Sequence, residues 1–168
     1  MCYKTAFVCW FTIFVTQRYD YLSTICKGKN VILISADTVV YLDNKILTKP
    51  KNDEDAFNML KALSGKKHQV YTGVCVMRMK DSKSVSRYEK TDVYFKELTD
   101  RTIKNYINTN EPKDKAGSYG IQGKGALLID KIDGDYFNVV GLPLRLLSEI
   151  LYDEFDIDIF DKEFIYES

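Results

Sequence analysis

Apolar residues in the stretch 52–63 recur at Ala56, Met59, Leu60 and Leu63, the i, i+3, i+4, i+7 stripe of a helix with one buried face. Asn52 is placed to cap its start, and Asp53, Glu54 and Asp55 suit the positive end of the helix dipole. Gly65 is placed to end it, with Lys61 in the last turns. Val31–Ser35 is a short apolar run of the kind found in a buried strand. Asp43–Asn44 reads as a hairpin turn between Val39–Tyr41 and Ile46–Leu47. Val70–Met79 and Ser84–Phe95 read as two strands joined through Asp81–Lys83. A second helix is expected after Leu98, with Thr99 as cap, Ile103, Tyr106 and Ile107 on one face, and Asn110 and Pro112 as stops. Leu127–Ile132 and Tyr136–Val140 flank Asp133-Gly134-Asp135 and predict a further hairpin. After Pro143 a last helix should turn Leu144, Leu147, Ile150 and Leu151 inward. The tail from Asp153 alternates acids with large apolar residues, which suits a terminal packing element or a frayed end.

These elements make one α/β domain, and 168 residues suffice for a sizeable core. The 24 basic and 24 acidic residues cancel, so no global field would draw the chain to nucleic acid or to an acidic membrane. A pocket for a polyphosphate needs only a few local cations and stays open to it. Cys2, Cys9, Cys26 and Cys75 have neither metal-ligand spacing nor the density of a disulfide framework, and read as reduced thiols of a cytoplasmic protein. A single histidine excludes a multi-histidine metal centre.

Residues 1–30 stand apart from this pattern. Ala6–Val15 is an apolar run too short to span a bilayer as a helix. It resembles a signal-peptide core, but one lysine precedes it and no clear small-residue cleavage site follows. Its β-branched and aromatic content favours a buried strand. The expected division is an atypical segment over 1–30 and one α/β domain over 31–168.

The densest candidate chemistry lies in Asp114–Ala126, which brings together four glycines, Lys115 and Gln122. Glycines let a backbone bend sharply and approach a ligand closely. An amide held between Gly120 and Gly123 offers a donor and an acceptor to the edge of a nucleobase. The plain alternative is a surface turn between two strands. Asp37 is expected just past the end of the first strand, where open α/β sheets place their ligands. A carboxylate there can hold a hard cation or accept a proton from water, and the competing role is a turn or cap. Lys49, before Pro50, offers a point charge to phosphate, and Lys115 offers a second. His68 reads as a packing histidine, because no nucleophile pairs with it. Glu111, Asp114 and Asp135 read as turn residues.

The motifs Ile34–Val40, Thr48-Lys49-Pro50, Leu63-Ser64-Gly65, His68–Val74, the glycine-rich segment and Asn138–Leu144 follow one another in a set order. In that order and spacing, over about residues 31–151, the chain resembles the Maf family of nucleotide pyrophosphatases, the septum-formation inhibitor-like proteins. The resemblance implies a mixed, twisted sheet with flanking helices, two lobes around a cleft, and commonly a homodimer. It implies hydrolysis of a nucleoside triphosphate to the monophosphate and pyrophosphate with Mg²⁺ or Mn²⁺. Asp37 matches the family's base and is the residue that would meet the metal, while Lys49 would assist at the phosphates. Thr38 and Gln122 resemble the branch that hydrolyses dTTP and UTP. The Ser-rich loop ending in Pro-Arg-Arg, with which the family normally opens, has no counterpart in residues 1–30, nor do an acidic metal ligand and a lysine expected before Asp37. The chain is therefore expected to be a member with that loop lost or replaced. The alternative is a weak or inactive nucleotide-binding protein that regulates division through a partner.

Overall fold

The computed structural model describes residues 31–161; the apolar run Ala6–Val15, three of the four cysteines and the end of the tail lie outside them. Five strands form one sheet: β1 (Ile32–Leu42), β2 (Lys45–Leu47), β3 (Lys67–Arg78), β4 (Lys83–Phe95) and β5 (Ile129–Asp133). Their order is β2-β1-β3-β4-β5. β1 and β2 are antiparallel, with Val40 opposite Leu47 and Tyr41 opposite Ile46. They are joined as expected through Asp43 and Asn44, both at positive φ. The Met79 N–H donates to the Val31 carbonyl, so the end of β3 meets the start of β1 and this pair is antiparallel too. β5 closes the edge against β4, with a register shift between Tyr94 and Phe95.

Four α-helices accompany the sheet among the described residues: α1 (Asp53–Leu63), α2 (Asp100–Ile107), α3 (Tyr136–Val140) and α4 (Leu144–Phe155). The first two are capped as the sequence predicts. The Asn52 side chain accepts from Asp55 N–H at 2.8 Å, and Thr99 Oγ1 accepts from Thr102 N–H at 3.1 Å. Gly65 leaves α1 at φ +67, a left-handed conformation that glycine adopts without steric cost.

Three expectations are corrected. Tyr136–Val140 is a helix and not a strand: Asp135 caps it by accepting from Phe137 N–H at 2.8 Å, and Gly141 ends it at φ +121. The segment Asp133-Gly134-Asp135 therefore joins a strand to a helix. The preceding strand starts only at Ile129, because Lys124–Leu128 forms a 3₁₀ turn. In α4 the buried side chains are Leu146, Ile150, Leu151 and Phe155, while Leu144 is exposed and Leu147 is only half-buried.

The chain divides into two compact units. One comprises residues up to Asp37 together with 73–88 and 144–168, and the other comprises 38–72 and 89–143. In the first, Val74, Cys75, Val76 and Met79 of the β3 region and the buried face of α4 supply the apolar interior. Arg87 donates to the Glu154 carboxylate at 2.7 Å there, and the Arg78 guanidinium lies 5.7 Å from the Phe155 ring centre. In the second, Val40, Leu42, Leu60, Leu63, Val70, Val93, Phe95, Ile103, Tyr106 and Tyr119 build one continuous core. No helix among the described residues is long and apolar enough to cross a membrane.

Candidate functional site

β1 runs unbroken through residues 32–42, so Asp37 stands in mid-strand and not past a strand end. The extra length comes from Val39, Val40 and Leu42, which are buried and extend the apolar run beyond the polar pair Asp37-Thr38. Successive side chains on a strand point to opposite faces, so Thr38 and Val40 share one face and Asp37 takes the other. Thr38 Oγ1 lies 2.8 Å from Thr72 Oγ1. Thr72 in turn donates to the Asn138 carbonyl at 2.8 Å. Asn138, on α3, is fully buried and donates to the Val70 carbonyl and to Thr91 Oγ1. Thr38 is thus held by a polar network that runs from β1 through β3 to α3. A Cβ on Gly141 would approach Thr38 Oγ1 to 3.5 Å, so the end of α3 comes up against the same hydroxyl.

The glycine-rich segment is seated on β1 from the Val40 side. A Cβ on Gly117 would lie 3.0 Å from Val40 Cγ2, and Gly117 has φ +67, so both space and backbone require glycine there. Gly117 N–H donates to the Thr48 carbonyl, which draws Lys49 to the start of the segment. Lys115 Nζ pairs with Asp114 at 3.0 Å. The Asp114 carboxyl is held below its ordinary value, first by that hydrogen bond and, more weakly, by the charge of Lys49. Lys115 thus meets Asp114 directly, and Lys49 acts on it through space. Gln122 is exposed further along the segment.

Glu111, read from sequence as a turn residue, does begin a 3₁₀ turn, and its carboxylate in addition binds the glycine-rich segment. Its two oxygens accept from Lys124 N–H at 2.8 Å, Gly125 N–H at 2.9 Å and Tyr106 O–H at 2.9 Å. The Tyr106 hydroxyl also accepts from Gly120 N–H at 3.2 Å. Burial pushes the Glu111 carboxyl up, but these donors outweigh burial and hold it below the usual carboxylate value. No local pattern marks this residue, because its backbone partners lie thirteen and fourteen positions further on.

His68 is a packing residue, as expected. It is fully buried, its Nε2 lies 2.8 Å from the Tyr119 hydroxyl, and its ring stands edge-on to Phe95 and Tyr119. Burial lowers its pKa from 6.5 to about 4, against a smaller opposing pull from Asp92. Nδ1 has no hydrogen-bond partner among the described residues, so a charged ring would bury an unsatisfied donor. Because the folded chain holds this proton more weakly than the unfolded chain, the His68 contribution is full above pH 6.5 and declines as the pH falls toward 4. The expected loss is about 3 kcal/mol across that window. Urea unfolding of the wild type and of His68→Gln from pH 7.5 to pH 4.5 should give curves that diverge by that amount. Parallel curves would show that His68 is not the titrating group.

Among the described residues no cluster of three or more His, Cys, Asp or Glu could hold a metal ion. An all-protein cage is thus absent from residues 31–161. A cation bound mainly by substrate phosphates needs only one or two carboxylates from the protein, as Mg²⁺ in nucleotide sites does.

A glycine-rich segment pinned to a strand, a lysine on each side of that tie, an exposed amide further along and an Asp-Thr pair on the strand have the order of features seen in the sequence. Comparison with known proteins agrees. Residues 15–154 match the family model described as Maf-like protein. A dTTP/UTP pyrophosphatase of Thermoanaerobacter sp. (strain X514) is 54% identical over 129 residues, covering 77% of this chain and 68% of that protein. One from Thermosipho melanesiensis is 57% identical over 139 residues, covering 83% and 75%. One from Clostridioides difficile is 51% identical over 139 residues, covering 83% and 72%. With most of its length inside the family model and more than half of its aligned residues shared with these relatives, the chain belongs to the Maf-like protein family.

Proposed function

We propose that the protein hydrolyses nucleoside triphosphates, dTTP and UTP foremost, to the monophosphate and pyrophosphate, and so clears them from the nucleotide pool. The observation that carries this reading is the glycine-rich segment, which is tied through Gly117 to the Thr48 carbonyl beside Lys49 and carries Lys115 near its start and an exposed Gln122 further along. The relatives compared above are dTTP/UTP pyrophosphatases, which supports the same activity.

Water is added across the P–O–P bridge between the α- and β-phosphates. Its oxygen bonds to phosphorus, the bridging P–O bond breaks, and pyrophosphate leaves with the electron pair. Asp37 either takes the water proton or holds the cation, and both roles need its negative charge. A divalent cation, Mg²⁺ or Mn²⁺, would be held by the Asp37 carboxylate together with substrate phosphates, and it supplies neutralisation of the phosphate charge. Lys49 and Lys115 add point charges for the polyphosphate.

Base choice falls to Gln122 and Thr38. Thymine and uracil alternate acceptors with a donor, and an amide held in one orientation matches that pattern. A site built for it rejects other bases because its own polar groups would be left unpaired. Gln122→Glu keeps an acceptor and loses the donor. The expected cost on the preferred bases is about 1–3 kcal/mol, roughly a 5- to 150-fold change in kcat/KM. Catalytic efficiency on dTTP, UTP, CTP and GTP should be compared for both proteins. Equal losses on all four would remove Gln122 from base selection.

A further inference from the structure

We propose that Glu111 is a positioning residue for base selection: with Tyr106 it locks the segment Gly120–Gly125 so that Gln122 is presented in one orientation. This rests on the pyrophosphatase reading above and extends it to a residue that does not itself meet the nucleotide.

The geometry is specific to the segment that carries Gln122. Glu111 accepts from the two amides on its C-terminal side, Lys124 and Gly125, and Tyr106 accepts from the amide on its N-terminal side, Gly120. The two clamping groups are joined by the hydrogen bond from Tyr106 O–H to Glu111 Oε1. Both ends of the six-residue stretch are therefore tied to one carboxylate–phenol pair, which is itself rooted in helix α2 through the buried Tyr106 ring. Hydrogen bonds to a carboxylate are stronger than neutral ones, so the charged form of Glu111 is the effective anchor.

The glycines complete the fit. A Cβ on Gly123 would lie 2.6 Å from the Glu111 carboxylate oxygens, and one on Gly125 would lie 2.6 Å from the Tyr106 hydroxyl. The carboxylate sits against the backbone where side chains are missing. An exposed amide on a loosely held loop would sample several orientations and would pair with any base. A segment tied at both ends limits Gln122 to one, which is what discrimination by hydrogen-bond pattern demands.

The test uses the full chain with Glu111→Gln and, separately, Tyr106→Phe, which keeps the ring packing and removes only the hydroxyl. Amide hydrogen exchange is followed across the molecule, and kcat/KM is measured on dTTP, UTP, CTP and GTP. In both variants, exchange within Gly120–Gly125 should rise by about tenfold or more while α1 is unchanged. The ratio of efficiency on dTTP to that on GTP should fall by about tenfold. Unchanged local exchange in both variants, or equal losses on all four nucleotides, would overturn the positioning role and leave the pyrophosphatase reading standing. A wild-type protein inert on all four would overturn that reading and the base-selection role with it. Should Glu111→Gln fail to fold, Tyr106→Phe decides the matter alone.

Discussion

Asp37→Asn is expected to lower pyrophosphate release from dTTP and UTP by about a thousandfold, within the range of roughly 10²–10⁴ set by a positioned acid or base. The swap keeps the side-chain shape and an acceptor oxygen but removes the charge. A neutral amide neither takes a proton from water nor binds a hard cation with the strength of a carboxylate. Asp37 lies in the middle of β1, flanked by Thr38 and the buried Val39 and Val40, so the backbone around it is fixed by sheet pairing and packing. Circular dichroism and thermal unfolding of the variant should match the wild type. Activity should be measured with Mg²⁺ and with Mn²⁺, and again after chelation, which should reduce the wild type to the level of the variant. Retention of more than about a tenth of the activity would assign Asp37 to the strand and take the chemistry away from it.

Gly125→Ala should destabilise the protein by about 2–4 kcal/mol, a loss at the upper end of what one inserted carbon causes in a packed site. The new Cβ would fall 2.6 Å from the Gly120 carbonyl oxygen, 2.6 Å from the Tyr106 hydroxyl and 2.9 Å from the Gly120 nitrogen. Two of these are backbone atoms, which cannot swing aside. Moving Tyr106 in turn breaks its bonds to Glu111 and Gly120. For a domain of this size the midpoint of thermal unfolding should fall by roughly 6–12 °C. Gly120→Ala is the contrast. Its Cβ would meet the flexible end of Lys115 at 3.1 Å and the Glu111 carboxylate at 3.6 Å, with no positive φ to strain. That variant should stay within about 1 kcal/mol of the wild type, as substitutions do where neighbours can give way. Equal unfolding temperatures for the two variants would mean that the segment is not held as the hydrogen bonds imply.

The two glycines lie five residues apart in one motif, and the sequence does not distinguish them. Their roles separate only when Tyr106 and Glu111 arrive from another part of the chain. The same division runs through the whole molecule. Helices α1 and α2, the β1–β2 turn and the β3–β4 hairpin were legible because each is set by residues within a few positions of one another. Asn52 and Thr99 cap their own first turns, Asp43 and Asn44 supply the turn conformation, and the apolar stripe of α1 repeats at the helical period. Helix α3 was misread because Tyr136–Val140 is too short and too rich in β-branched and aromatic residues for periodicity to separate helix from strand. Asp135 before it and Gly141 after it were the available signals, as cap and stop.

The candidate site divides along the same line. Asp37, Thr38, Lys49, Lys115 and Gln122 could be named as candidates from the sequence because they sit in short motifs whose order resembles the family's. What the sequence by itself determined was therefore a set of candidate groups for reaction and recognition, together with most of the local elements that carry them. Only the tertiary structure decided how those groups are held. It placed Asp37 in mid-strand, fixed Thr38 through Thr72 and Asn138, and secured the glycine-rich segment to Glu111 and Tyr106. The physical reason is that capping and periodicity act within a turn or two of chain. A buried hydrogen bond between distant residues forms only once the core has brought its partners together, and it leaves no trace in the spacing of either.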